Sequence, residues 1–257
     1  MDLQNRSVNQ RSLLWCEFVV KFLLNVGAEK AGTTWLFKYF QSHPDFHDMG
    51  KELNIIQRDD VVPTFPKSAQ YKSDLNTYFK VVAETNKVTG DFTHYEGSTT
   101  NIFRLIREGL LKYDIEVVPV YIMRDPIQRA WSAWHMLGGG NFDMPKPAYF
   151  LTQKYLQCKY RETIESLNDV FEDPLYFFYE DFFQQEHVDL ICDRLSISRH
   201  PTLTNVINKG FYNQEVPEEF IEKFCLTQKN IEAVQHISES FENVPWNIED
   251  YKKVAAG

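Results

Sequence analysis

No stretch of this 257-residue sequence reads as a membrane span. The apolar run from Leu13 to Val26 is broken by Glu17, Lys21 and Asn25, and no signal-peptide cleavage pattern follows it. Cysteine is sparse. Cys16, Cys158, Cys192 and Cys225 lie far apart, with no C-x-x-C and no ligand-spaced histidine, so buried reduced thiols are expected and a metal centre is not. Excess positive charge is missing too: a formal net charge of -9 argues against a nucleic-acid binder held by a general basic field, so local Lys and Arg must do any anion binding. Repeats and low-complexity segments are also lacking. These absences imply a cytoplasmic protein with neither a membrane nor a nucleic-acid partner. Residues 1–20 are read as an N-terminal arm and residues 21–257 as a single domain, within ordinary globular length.

The stretch Gly27-Ala28-Glu29-Lys30-Ala31-Gly32-Thr33-Thr34-Trp35-Leu36 organises the rest. Phe22–Val26 before it is short, apolar and closed by Gly, as a buried parallel strand is. After it, Thr33 or Thr34 opens a helix that runs to Ser42 and stops at His43-Pro44. A strand, a Gly-bounded loop and a helix N-terminus together make an anion cradle, because backbone N–H groups converge and the helix dipole favours negative charge. A nucleoside-triphosphate loop would read G-x-x-x-x-G-K-[ST]. Here Thr33 stands where that lysine belongs and the loop's only lysine is Lys30, which disfavours ATP or GTP hydrolysis.

Further along, helices are expected over Ser73–Val82 and Asn101–Leu111, and strands over Val88–Thr93 and Val117–Met123. Pro119 lacks a backbone donor, which suggests a strand end or a near-edge position. A helix opens near Pro126 and runs to about Met136. Residues 138–147 read as a mobile loop over a site. A helix over Tyr149–Leu167, a strand over Leu175–Tyr179, a helix over His187–Leu195 and one or two helices from Pro217 to about Phe241 complete the chain. Strands alternating with helices predict a three-layer α/β fold around a mainly parallel central sheet, with ligands at the strand C-terminal ends.

The second cluster is Arg124-Asp125-Pro126-Ile127-Gln128-Arg129-Ala130-Trp131-Ser132, again at a strand-to-helix junction. Arg124 stands at the strand end and Ser132 lies two helical turns on, where guanidinium and hydroxyl can share an anion. Taken separately, Arg129 reads as a surface or salt-bridge residue. Taken in order, G-x-x-K-x-G-T-[ST]-x-L and R-D-P-x-x-R-A-x-S resemble the 5′-phosphosulfate loop and the 3′-phosphate element of sulfotransferases that use 3′-phosphoadenosine 5′-phosphosulfate (PAPS). His43-Pro44-Asp45 and Lys51-Glu52 are similar to the family's carbohydrate-acting or bacterial-type branch, although Asn54-Ile55-Ile56 replaces an aromatic pair common there. Asn208-Lys209-Gly210 resembles its late loop over the adenosine 3′-phosphate.

The resemblance implies a P-loop-like phosphosulfate loop in which Lys30, Ala31, Gly32, Thr33, Thr34 and Trp35 bind PAPS. Arg124, Ser132, Lys209 and Gly210 would complete the nucleotide site, and 3′,5′-adenosine bisphosphate (PAP) would be the product. Lys30 would meet the developing negative charge and Glu52 would take the acceptor proton. Asp91 and His94 are candidates for the acceptor side, with His47 a further acid/base reserve. The scheme requires no metal. The expected acceptor is a small molecule or glycan bearing a hydroxyl or amine; its identity is left open, with carbohydrate, lipid, polyketide-type hydroxyl, phenol and peptide tyrosine all compatible with a site shaped by loops at 44–72 and 137–150. The oligomeric state is left open, as are two other readings: a P-loop small-molecule kinase and an inactive nucleotide-binding relative.

Overall fold

The structure is a computed structural model that describes residues 20–51, 75–136, 158–203, 215–249 and 251. Its frame is a four-stranded sheet of β1 (Val20–Gly27), β2 (Thr89–Asp91), β3 (Ile115–Met123) and β4 (Leu175–Phe178), in the order β2-β1-β3-β4. Each neighbouring pair is parallel. Parallel strands covered on both faces must be apolar throughout, and Phe22–Val26 is buried in full, Asn25 included.

The pleat sends alternate β1 residues to opposite faces, and each face has its own helices. On one face, Lys21 Nζ donates to Arg194 O at 2.8 Å in the helix Gln185–Leu195, here α6. The same helix meets the first helix, α1 (Thr33–Ser42), where Tyr39 Oη and Cys192 Sγ lie 3.4 Å apart. On the other face, Phe22 packs edge-to-face on Tyr78 of α2 (Leu75–Glu84). Helix α2 packs in turn on α3 (Thr100–Leu111), and α3 on α5 (Tyr160–Asn168). The result is the expected three-layer α/β arrangement.

Helix α4 (Pro126–Met136) follows β3 directly. Near the C-terminus, a helical turn at Glu218–Phe220 (α7) continues as a π turn through Cys225. Helical structure ends there, and α8 (Gln228–Ser240) begins behind Thr227, whose hydroxyl accepts Asn230 N–H at 3.3 Å.

Two expectations change. Residues 149–157 lie outside the described residues; Cys158 and Lys159, inside the expected helix, are not helical, and the helix that follows them starts at Tyr160. Their amides are taken by distant side chains, Cys158 N–H by Asn230 Oδ1 at 2.9 Å and Lys159 N–H by Glu96 Oε1 at 3.2 Å. Pro119 lies inside β3 rather than at a strand end, although β3 does stand next to the edge strand β4. Pairing with β4 starts only at Val120, so the missing donor falls where no partner strand stands.

Candidate active site

The chain leaves β1 for β2 and then returns past β1 to β3, so the order reverses between β1 and β3. In an open parallel sheet the C-terminal ends at such a reversal form the ligand crevice. The two sequence clusters sit at these ends: the cradle closes β1 and Arg124 closes β3. Ala28 N–H donates to Ile122 O at 2.6 Å, and Tyr95 N–H donates to Val26 O at 2.9 Å. The cradle is thereby stitched to β3 on one side and to the segment after β2 on the other.

Within the cradle, Gly32 has φ of 86°, a left-handed conformation natural to glycine, and its carbonyl receives the first helical amides, Trp35 and Leu36. Ala31 N–H turns back to Ala28 O at 3.1 Å. The amides of Gly32, Thr33 and Thr34 stand at the helix start, where first-turn amides have no helical acceptor. Lys30 has φ of 67°, uncommon for a residue with a Cβ. Thr33 is buried and Thr34 half-buried.

Arg124 is buried, and its guanidinium does two things. Nη1 donates to Lys30 O at 2.9 Å, joining the second cluster to the first, and the group lies 4.2 Å over the Tyr179 ring. Tyr179 follows β4, held by its N–H on Met123 O at 2.7 Å, and with Phe183 it closes against Gly32. A Cβ on Gly32 would meet Phe183 at 3.1 Å. Trp35 is buried edge-to-face on Phe183 and stacked on Tyr39. Ser132 is buried in α4.

Arg129 is no surface residue. Its Nη1 donates to Glu96 Oε1 at 2.7 Å, Nη2 to Glu96 Oε2, and Nε to Glu29 O at 2.9 Å. Burial opposes its charge, but the Glu96 carboxylate outweighs that and holds the guanidinium firmly protonated. Asp125 caps α4, accepting Gln128 N–H at 3.0 Å. Its carboxyl is pushed up to about 6 by burial, with Glu180 adding repulsion.

On the acceptor side, His94 is half-buried beside the cradle, its Nδ1 3.9 Å from where a Gly27 Cβ would stand. Asp91 is buried and its carboxylate accepts from Thr93 N–H (2.8 Å), Thr93 Oγ1 (2.5 Å) and Tyr95 Oη (2.7 Å). His47 stands at the start of β2, away from the crevice, with its N–H on Val88 O. Glu52, Lys209 and Gly210 lie outside the described residues, as does the loop expected over 138–147. Lys51 O accepts Phe92 N–H at 3.0 Å, which brings the chain just before Glu52 to the C-terminal end of β2. Among the described residues no His, Cys, Asp and Glu group is arranged to hold a metal ion.

Sequence reasoning missed Tyr179 and Glu96. Both follow the C-terminal ends of strands, the positional signal that picked out Arg124, but neither sits in a recognisable motif.

No family model matches the sequence, and no curated protein matches it. Solved structures do. A sulfotransferase from Alicyclobacillus acidocaldarius superposes with a TM-score of 0.60 at 17% identity, over 90% of this chain and 98% of that one. The sulfotransferase domain from the curacin biosynthetic pathway superposes at 0.50 with 12% identity, over 92% and 96%. The α/β fold of this chain is that of the sulfotransferases.

Proposed function

We propose that the chain transfers a sulfuryl group from PAPS to a hydroxyl or amine of a small-molecule or glycan acceptor. The observation that carries this reading is the joining of the two anion elements: Arg124, at the end of β3, donates to the carbonyl of Lys30 inside the cradle that ends β1. A 5′-phosphosulfate on the helix-start amides and a 3′-phosphate near Arg124 and Ser132 would then belong to one nucleotide.

In this scheme the acceptor oxygen or nitrogen attacks sulfur as the bond from sulfur to the 5′-phosphate oxygen breaks, and PAP leaves. Like phosphoryl transfer, such a step depends mainly on alignment and on stabilising charge. Lys30 meets the charge growing on the departing phosphate oxygen, worth several kcal/mol in a water-poor site, about 10² to 10³ in rate. The acceptor proton goes to Glu52, with His94 beside the cradle as the alternative base, a contribution of roughly 10² to 10⁴. Asp91 serves indirectly, fixing Thr93 and Tyr95 on either side of His94. Trp35 walls the nucleotide, and Lys209 and Gly210 close over its 3′-phosphate. The cradle amides, Lys30 and the helix dipole supply the positive field, so the step is written without a metal. A cytoplasmic location fits the free, buried thiols of Cys158, Cys192 and Cys225, and no described helix is long and apolar enough to cross a membrane.

A mass-resolved acceptor screen with isotopically labelled PAPS tests the proposal. Label should appear in one acceptor class with stoichiometric PAP. Tight PAP binding with no labelled product from any class would instead make the chain an inactive nucleotide-binding relative.

A further inference from the structure

We propose that Glu96 and Arg129 are a positioning pair that sets the backbone conformation of Lys30. The activity readout rests on the sulfuryl-transfer reading above; the structural readout does not.

The two peptide planes that flank Lys30 are each held by an arginine. Arg129 Nε donates to Glu29 O in the plane before it, and Arg124 Nη1 donates to Lys30 O in the plane after it, both at 2.9 Å. A planar peptide has its C=O and N–H on opposite sides, so fixing these two carbonyls fixes the two planes and with them φ and ψ of Lys30. That φ is 67°, in a region that residues with a Cβ rarely adopt, so the conformation needs outside support.

Glu96 supplies it at one remove. Its carboxylate takes both terminal nitrogens of Arg129 in a fork-to-fork pair, Nη1 also reaches Cys158 Sγ at 3.5 Å, and the orientation so fixed aims Nε at Glu29 O. Glu96 is itself fixed: it accepts Lys159 N–H at 3.2 Å, and its Cβ lies 3.8 Å from where a Gly27 Cβ would stand. The Tyr160 ring covers the guanidinium at 5.6 Å. Both side chains are almost wholly buried, at 3% and 8% exposure, so water does not compete for these bonds. An ion pair serving stability alone has no need of the third bond, to a cradle carbonyl.

Two variants separate positioning from stability. Replacing both members with apolar residues of similar size, Glu96→Leu with Arg129→Met, removes the buried charges together and leaves Glu29 O without its donor. Such exchanges often keep the fold. The proposal expects a melting temperature near wild type, PAP affinity within about threefold, and kcat lower by about tenfold or more. A folded double variant with wild-type kcat overturns it. Should that variant fail to fold, Glu96→Asp keeps the charge pair but draws Arg129 back by one methylene. It should lower kcat about fivefold or more with PAP affinity unchanged. In that variant the amide resonances of Lys30 and Ala31 in ¹⁵N-labelled protein should move, a readout valid even if wild type transfers no sulfate. Unmoved resonances overturn the proposal, whereas a wild type without transfer counts only against the function.

Discussion

Lys30 carries the chemistry proposed for the cradle, and its side chain and backbone play separable parts. In Lys30→Ala the flanking carbonyls remain available to Arg124 and Arg129, so the loop should keep its shape. Turnover should fall about 10² to 10³-fold, the worth of a cation aimed at developing charge, while melting temperature stays near wild type and PAP, whose 5′-phosphate carries that charge, binds more weakly. Single-turnover kinetics beside thermal melts check this, and unchanged transfer would remove Lys30 from the mechanism. Lys30 and Arg124 were legible in the sequence because each belongs to a short motif at a strand end. Glu96 was not. Its partner Arg129 is 33 residues away, and only the parallel packing of β1 between β2 and β3 brings them together. Nor did the motif show that Ala31 N–H is taken by Ala28 O, because a turn inside a loop leaves no periodic trace.

The strands and helices that frame the crevice were mostly readable, since buried parallel strands are short apolar runs and the helices repeat at 3.6 residues. The misreadings came where tertiary partners decide. Lys159 and Cys158 are held out of helical structure by Glu96 and Asn230, and Pro119 is tolerated because β4 begins one residue late. Helix α3 shows the same contest in its packing. Gly109 lies inside this helix, where alanine would add about 1 kcal/mol of propensity, yet a Cβ there would overlap the Phe79 ring of α2. Overpacking costs about 1–3 kcal/mol and should win. Gly109→Ala is therefore expected to lower the urea midpoint with an unchanged m-value, and a higher midpoint would mean that α2 yields freely.

Across the whole molecule, the C-terminal segment is tied to the same turn that presents Arg124. Trp246 Nε1 donates to Glu180 Oε2 at 3.1 Å, Tyr251 Oη donates to the Asp125 carboxylate, and Ile127 N–H donates to Tyr251 Oη. Burial, with Glu180 opposite, raises the Asp125 carboxyl to about 6 from an ordinary 3.8. Between these values the folded protein binds more protons than the unfolded chain, so this group's contribution to stability falls as pH rises from about 4 to about 6 and is fully lost above. Asp125→Asn keeps a capping acceptor and removes the titration. Its stability relative to wild type should climb across that window and then level off, by at most about 3 kcal/mol. Denaturation at a series of pH values reads this directly, and a difference independent of pH would contradict it.

Sulfuryl transfer as proposed requires one nucleotide to span the ends of β1 and β3. The most direct measurement is a calorimetric titration of the protein with PAP, repeated on Arg124→Ala. One PAP per chain is predicted, with affinity weakened at least about tenfold in the variant, or about 1.4 kcal/mol. Absence of PAP binding to the wild-type protein, or equal affinity in both, would contradict it.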